Sequence, residues 1–216
     1  MNKEHSFTIL LGGDVTPTKR LATQIADTRV IAADSGIAHA AALGLLPELW
    51  VGDFDSTSDT LAATYAAVPR EVYPEAKDAT DGAIAIEAAL ARGAKQITLV
   101  GAMGGRFDHA LAHGMQLIDL QSRGIKAFAS SGHEEVYPLL HEAEFDDIPA
   151  GTRLSVLGLS DLTGLSINGV RWPLNKRDVP LGSTLTLSNE STGLVSIMLE
   201  EGTALIVVYP PADHLA

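Results

Sequence analysis

The chain has 216 residues, no cysteine and a formal net charge of −12. That charge excludes the basic footprint that nucleic acid or an anionic membrane surface requires, and the missing cysteines exclude disulfides, thiolate metal sites and a cysteine nucleophile, in keeping with a reducing cytoplasm. The first apolar run, Phe7 to Leu11, is too short for a signal-peptide core, and no later stretch approaches the ~18 apolar residues of a membrane span, so a soluble, cytoplasmic protein is expected.

In chain order, "FTILLGG" reads as a strand and "TPTKRLATQIAD" as a helix with Pro17 near its start. "RVIAAD" is a second strand and "SGIAHAAALG" a short helix closed by Gly44. "ELWVGD" follows as a strand and "TSDTLAATYAAV" as a helix, and a short strand ends near Tyr73. "TDGAIAIEAALARG" is a helix capped at Thr80 or Asp81, "QITLVGA" a strand, "FDHALAHGMQLIDLQSRG" a helix and "KAFASS" a strand. Strands alternating with helices predict a parallel sheet covered by helices. Beyond His133 the pattern changes to short, often alternating runs: "EVYPLL", "TRLSVLGL", "LTGLSINGVRWPL", "STLTLSNES", "GLVSIMLEEG" and "TALIVVYP". The expected architecture is an α/β N-terminal domain, residues 1–132, followed by an all-β antiparallel sandwich, residues 133–216.

Ligands of open parallel sheets bind outside the carboxyl ends of the strands. Four polar or glycine-rich clusters fall there: "GGD" at Gly12, Gly13 and Asp14; "ADSG" at Asp34, Ser35 and Gly36; "GDFDS" at Asp53, Asp55 and Ser56; and "GAMGGRFDH" from Gly101 to His109. A fifth, "KDATD", places Lys77, Asp78 and Asp81 before the next helix. In an extended segment Asp53 and Asp55 share a face, so both can reach a Mg²⁺ ion held on a polyphosphate; a solvated turn with capping aspartates is the plainer alternative. Asp81 alone fits an acidic helix start. "GGRFDH" offers two glycines, the planar fork of Arg106 and a helix N-terminus to a phosphate, against the reading of a glycine-rich turn with a surface arginine. His109 and His113, four apart on a helix, form a metal pair only with a third ligand. "GDVTPTK" lacks the glycine before lysine that a phosphate-binding P-loop needs, and no GxSxG motif occurs.

In order and spacing, "AADSGIAHAAALGLLPELWVGDFDS", "YPEAKDATD", "LVGAMGGRFDHAL" and "GVRWPLNKRDVPLGSTLTLSNES" together resemble the thiamine pyrophosphokinase family. The resemblance implies an α/β domain followed by a β-sandwich, a homodimer with the active site between subunits, and transfer of a pyrophosphoryl group from ATP to thiamine. By matched position it implies that Asp53, Asp55, Asp78 and Asp81 surround Mg²⁺ and the polyphosphate, with Asp53, Asp55 and Asp81 central to catalysis. It places Asp34, Lys77, Asp78, Arg106, Asp108 and His109 around the nucleotide, and Trp172, Ser188 and Asn189 in the thiamine pocket, with the Trp172 face suited to the cationic thiazolium. Three positions depart from the family pattern: Ala83 stands where a glutamate is common, His113 where an asparagine is, and Leu187 where a small hydroxyl residue is.

Two rivals remain at this stage. "DFDST" also fits the Asp-x-Asp-x-Thr pattern of haloacid-dehalogenase-like phosphatases, which would make Asp53 a covalent nucleophile, although that motif normally follows a first strand. The departures also leave room for a nucleotide- or thiamine-binding protein without turnover.

Overall fold

The computed structural model describes residues 3–54, 57–74 and 78–213. Six parallel strands, β1 (Ser6–Leu10), β2 (Arg29–Ala33), β3 (Leu49–Gly52), β4 (Arg70–Val72), β5 (Gln96–Val100) and β6 (Lys126–Ser130), lie in the order β6-β5-β1-β2-β3-β4. The chain builds outward from β1 through β4, then returns to add β5 on the other side of β1. The β1/β5 boundary is therefore the switch point of the sheet.

Alternation along the strands divides the side chains between two cores. Phe7, Ile9, Ile31, Val51, Ile97 and Leu99 face helices α3 (Asp81–Ala91) and α4 (Phe107–Ser122). Leu10, Val30, Ala32, Trp50 and Val100 face the other way, toward α1 (Lys19–Gln24), a 3₁₀ turn at Asp34–His39 and the segment around α2 (Asp59–Thr64). The continuous apolar strands are thus explained by burial on both faces. Serine and threonine caps start the helices: Thr18, Ser58 and Thr80 accept from Leu21, Leu61 and Ala83 N–H respectively. The two helices expected over residues 35–44 and 57–68 are shorter than their patterns, one reduced to the 3₁₀ turn and the other to α2.

The antiparallel part comprises β7 (Glu135–Leu139), β8 (Glu142–Phe145), β9 (Arg153–Gly158), β10 (Leu162–Val170), β11 (Leu174–Val179), β12 (Asn189–Met198) and β13 (Ala204–Tyr209). Strand β12 starts against β9 at Asn189 and ends against β8 at Met198, keeping β10 on its other edge, and so it passes between two layers around a shared core. Of the strand expected over residues 183–191, residues 189–191 begin β12, whereas residues 183–188 form a loop strapped to β9. The Thr186 hydroxyl donates to Val156 C=O at 2.6 Å, and the Val156 N–H donates back to Thr186 C=O at 2.9 Å. The run expected over residues 162–174 is the hairpin arm β10, with β11 beginning at Leu174.

Hydrogen bonding continues across the turn after residue 132, because β6 pairs antiparallel with β7. Strand β13 pairs with β7 and β9 and serves both cores: Leu205 and Val207 pack with α4 and the parallel sheet, whereas Ala204, Ile206 and Val208 pack within the antiparallel core. A second tie is polar. Glu135, 1% exposed, receives Arg20 Nε at 2.6 Å and Nη2 at 3.0 Å, Gln24 Nε2 at 2.7 Å and the Tyr137 hydroxyl at 2.7 Å. Arg20 Nη1 continues to Asp147 at 2.9 Å. Bonding to the two carboxylates outweighs burial and raises the Arg20 pKa; burial, then the Glu135 charge, raises that of Tyr137. The network fastens α1 to β7 and to the loop after β8.

Candidate active site

A cleft of about 510 Å³ opens at the carboxyl ends of β1, β2, β3 and β5. Its lining includes Gly12, Gly13, Asp34, Ser35, Asp53, Asp81, Arg106 and His109, so four of the five sequence clusters meet around one space and the fifth contributes Asp81. A larger groove of about 1060 Å³ lies between the end of α4 and strands β8 and β12. It meets the parallel sheet at the amino end of β6, at Lys126 and Ala127, and not at a carboxyl end, so the phosphate-type chemistry belongs to the smaller cleft.

The floor is the switch point. Leu11 N–H bonds Val100 C=O at 2.8 Å, Gly13 N–H bonds Gly101 C=O at 2.8 Å and Asp14 N–H bonds Met103 C=O at 3.1 Å, so the loops after β1 and β5 are zipped together. At Gly13 a side chain would strike the carbonyl oxygens of Gly101 and Met103, and only glycine permits this approach. Gly105 has open space around it but a φ of +65°, the left-handed turn that feeds α4.

Asp34 also occupies the left-handed region, at φ 45°, and Trp50 Nε1 donates to its carbonyl at 2.8 Å. A non-glycine residue held there marks a position fixed by its surroundings. Asp53 follows β3 directly, next to Phe54 at φ 62°. Asp81 is the first residue of α3. Asp78 is exposed and does not line the cleft. Asp55 and Lys77 lie outside the described residues.

Arg106 stands at the N-cap of α4 without a side-chain capping bond and reaches the Asp108 carboxylate in a two-pronged pair, at 3.1 and 2.6 Å. Hydrogen bonding from Arg106 holds the Asp108 carboxyl down at about 2. His109 lines the cleft beside His113, their rings 6.2 Å apart. His113 is buried, its Nδ1–H donates to Ala102 C=O at 3.1 Å, and burial lowers its pKa, which favours a neutral ring. Its Nε2 faces α3 at Gly82, where a side chain would approach to 3.2 Å, so the histidine and this glycine fit as a pair.

Among the described residues no group of three or more histidine, aspartate or glutamate side chains is placed to hold a metal ion. Mg²⁺ on a nucleotide needs only one or two carboxylates besides phosphate oxygens and water. Asp34, Asp53 and Asp81 around one cleft are hard oxygen donors of that kind, and the residues present fit the ion in this respect.

Ala83 lies elsewhere. It lines a groove with Tyr73, Ala79, Glu87 and Arg92 on the outer side of α3, and its N–H bonds the Thr80 hydroxyl at 3.2 Å. A glutamate there would complete a capping box by reaching back to the Thr80 N–H. Ala83→Glu is expected to stabilise the protein by about 0.3–1 kcal/mol in thermal or urea unfolding, with the Mg²⁺ dependence of activity unchanged. A changed metal requirement would return this position to the cleft.

Trp172, Ser188 and Asn189 stand together but apart from the cleft, whose lining includes nothing beyond His113. Asn189, buried at the start of β12, accepts from Trp172 N–H at 3.1 Å and donates to Trp172 C=O at 2.8 Å. Ser188 adopts φ 60°, and its N–H bonds Ser155 Oγ at 3.0 Å. Trp172 is 53% exposed. Sequence reading missed Arg171, whose guanidinium lies over the Trp172 ring and whose only signal was adjacency to Trp172, and Trp50 as the anchor of Asp34, 16 residues away in sequence.

A carboxylate-bearing, glycine-floored cleft at the switch point of a parallel sheet, with a separate antiparallel β domain, defines a class of protein suited to a phosphorylated ligand. Comparison with known proteins narrows the class. Residues 23–129 match the family model "Thiamin pyrophosphokinase, catalytic domain", and residues 141–203 match "Thiamin pyrophosphokinase, vitamin B1 binding domain". A thiamine pyrophosphokinase of Bacillus subtilis (strain 168) is 31% identical over 169 residues, covering 74% of this chain and 77% of that protein. The crystal structure of a Bacillus subtilis thiamine pyrophosphokinase superposes with a TM-score of 0.84 at 24% identity, over 95% of this chain and 99% of that one. Yeast thiamin pyrophosphokinase gives 0.80 at 15% identity, over 100% and 89%; at these identities the two structures speak for the fold. The chain belongs to the thiamin pyrophosphokinase family.

Proposed function

We propose that the protein is a thiamine diphosphokinase, transferring the pyrophosphoryl group of ATP to the hydroxyl of thiamine to give thiamine diphosphate and AMP. The observation that carries the reading is the meeting of Asp34, Asp53, Asp81 and Arg106 in one cleft at the switch point, in a chain of this family. The phosphatase alternative is not favoured: "DFDST" follows the third strand, and family membership points to group transfer.

The thiamine hydroxyl oxygen attacks the β-phosphorus as a carboxylate of the cleft accepts its proton, the bond from that phosphorus to the oxygen bridging to the α-phosphate breaks, and its electron pair leaves with AMP. Backbone N–H groups of the Gly104–Gly105 turn and the N-terminus of α4 would receive phosphate oxygens, and Arg106 would exchange its Asp108 partner for one of them. Asp53 and Asp81 in the cleft, with Asp55 and with Asp78 next to the cleft-lining Ala79, are assigned to Mg²⁺, which when bound would neutralise charge spreading over the transferred oxygens. Asp34, Lys77, Asp108 and His109 are assigned to the nucleotide. Residues 1–132 would form the nucleotide part and 133–216 the thiamine and dimerisation part, acting as a soluble cytoplasmic enzyme.

Trp172, Ser188 and Asn189 are assigned to thiamine. Their separation from the cleft supports a homodimer in which one protomer's β domain completes its partner's site. An apolar stripe of Phe107, Leu111 and Met115 is exposed on α4 beside the cleft, and Leu181, Leu185 and Leu187 are exposed on the β domain, which supports the same reading.

The test is incubation with ATP, Mg²⁺ and thiamine followed by separation of products. AMP formed in step with thiamine diphosphate is expected. ADP with thiamine monophosphate would overturn pyrophosphoryl transfer, and binding without product would make the chain a non-catalytic member of the family.

A further inference from the structure

Trp172 lies in the turn between β10 and β11 and would swing freely on its own, since it is half exposed. Three neighbours prevent that. The side-chain amide of Asn189 spends its oxygen and its nitrogen on the Trp172 backbone N–H and C=O, at 3.1 and 2.8 Å, and the same oxygen also accepts from Glu190 N–H at 3.0 Å. The Arg171 N–H donates to Glu190 C=O at 2.8 Å, tying the turn to β12. The Arg171 guanidinium then lies over the indole, 4.8 Å from the ring centroid, and its Nη1 is held by Glu190 at 3.2 Å.

We infer that Arg171, Glu190 and Asn189 are positioning residues for thiamine, forming a frame that fixes the Trp172 ring and closes one of its faces. The inference rests on the assignment of Trp172 to the thiamine pocket. Asn189 acts through Trp172: its amide oxygen and one of its two amide N–H bonds hold the turn, and the residue is buried at the start of β12. Arg171 acts from behind the ring: stacked on one face, it leaves the other face as the surface for an aromatic ligand, already oriented before the ligand arrives. Pre-orientation of a binding surface raises affinity without altering the chemical step, so the frame belongs in KM for thiamine and not in kcat.

The experiment compares Arg171→Ala, Arg171→Lys, Glu190→Ala and Asn189→Ala in the full-length protein. Steady-state kinetics are measured with each substrate, and acrylamide quenching of tryptophan fluorescence is measured in parallel. The chain has two tryptophans. Trp50 is fully buried, so quenching reports on Trp172. Arg171→Ala and Glu190→Ala are expected to raise KM for thiamine about fivefold and to increase quenching. They should leave kcat within about twofold of the parent and KM for ATP unchanged. Asn189→Ala should give the larger rise in KM, about tenfold, and Arg171→Lys, which keeps a cation over the ring, should restore much of the loss.

A KM for thiamine unchanged in both Arg171→Ala and Glu190→Ala would overturn the frame. So would a raised KM with unaltered quenching, which would place Arg171 on the substrate itself. Absence of thiamine turnover in the unaltered protein would defeat the proposed function and not the frame, which the quenching comparison then decides alone.

Discussion

Asp53→Asn is expected to lower kcat for thiamine diphosphate formation by about 10²–10³-fold, the scale associated with removing one preorganised electrostatic group from an active site. The substitution preserves size and removes charge. Asp53 stands where β3 ends, with its neighbours Val51 and Gly52 buried in the sheet, so the backbone that presents it has no reason to move. Asparagine keeps one carbonyl oxygen for a hard cation but loses the charge that makes a carboxylate a good Mg²⁺ ligand. Part of the lost activity should therefore return as Mg²⁺ is raised. The check is kcat and the Mg²⁺ concentration for half-maximal rate, with a thermal scan to establish that the variant is folded. An activity within about threefold of the parent would remove Asp53 from the reaction.

Arg20→Ala carries the largest expected effect on stability, about 3–5 kcal/mol, or a fall in melting temperature of roughly 10 °C. Glu135 is 1% exposed and, among the described residues, draws its counter-charge from Arg20, because Gln24 and Tyr137 contribute only neutral hydrogen bonds. Removal of the arginine leaves a buried carboxylate whose desolvation is no longer offset. Chemical denaturation of the variant and the parent checks the size. A loss below 1 kcal/mol would mean that the network is less coupled than its distances indicate. Arg20→Ala combined with Glu135→Gln should cost less than the single change, since no charge is then stranded.

Much of the fold can be read from the sequence because the local signals agree with the final structure. Helix α3 has its cap at Thr80 and its stop at Gly93, and β13 reads as a strand because a continuous apolar run suits burial on both faces. The cleft was legible for a related reason: once the strands were ordered along the chain, the polar clusters at Asp34, Asp53 and Gly101 all fell at carboxyl ends. Where reading failed, a side chain had overridden the local pattern. "STLTLS" alternates as a strand should, yet Thr186 uses its hydroxyl to bind β9 and the segment becomes a strap. Strand β8, "EAEF", carries too few apolar residues to announce itself, because it pairs only with β12 at an edge. The frame around Trp172 joins residues 17 apart through the Asn189 amide, and no periodicity encodes such a contact.

Strand β13 follows every other strand in chain order, and this bears on synthesis. When β6 leaves the ribosome, the parallel sheet and α4 are complete in sequence, but the surface of α4 around Gly114 still waits for Leu205, whose side chain sits so close that a methyl group on Gly114 would meet it at 2.7 Å. At ordinary elongation rates the wait lasts roughly 5–15 s. During that interval the nascent protein exposes an apolar seam and an unpaired strand edge, the surfaces on which chaperones and aggregating neighbours compete. A slow patch of translation after β6 would lengthen the exposure. Rapid translation through β13 would shorten it, before any thiamine is bound.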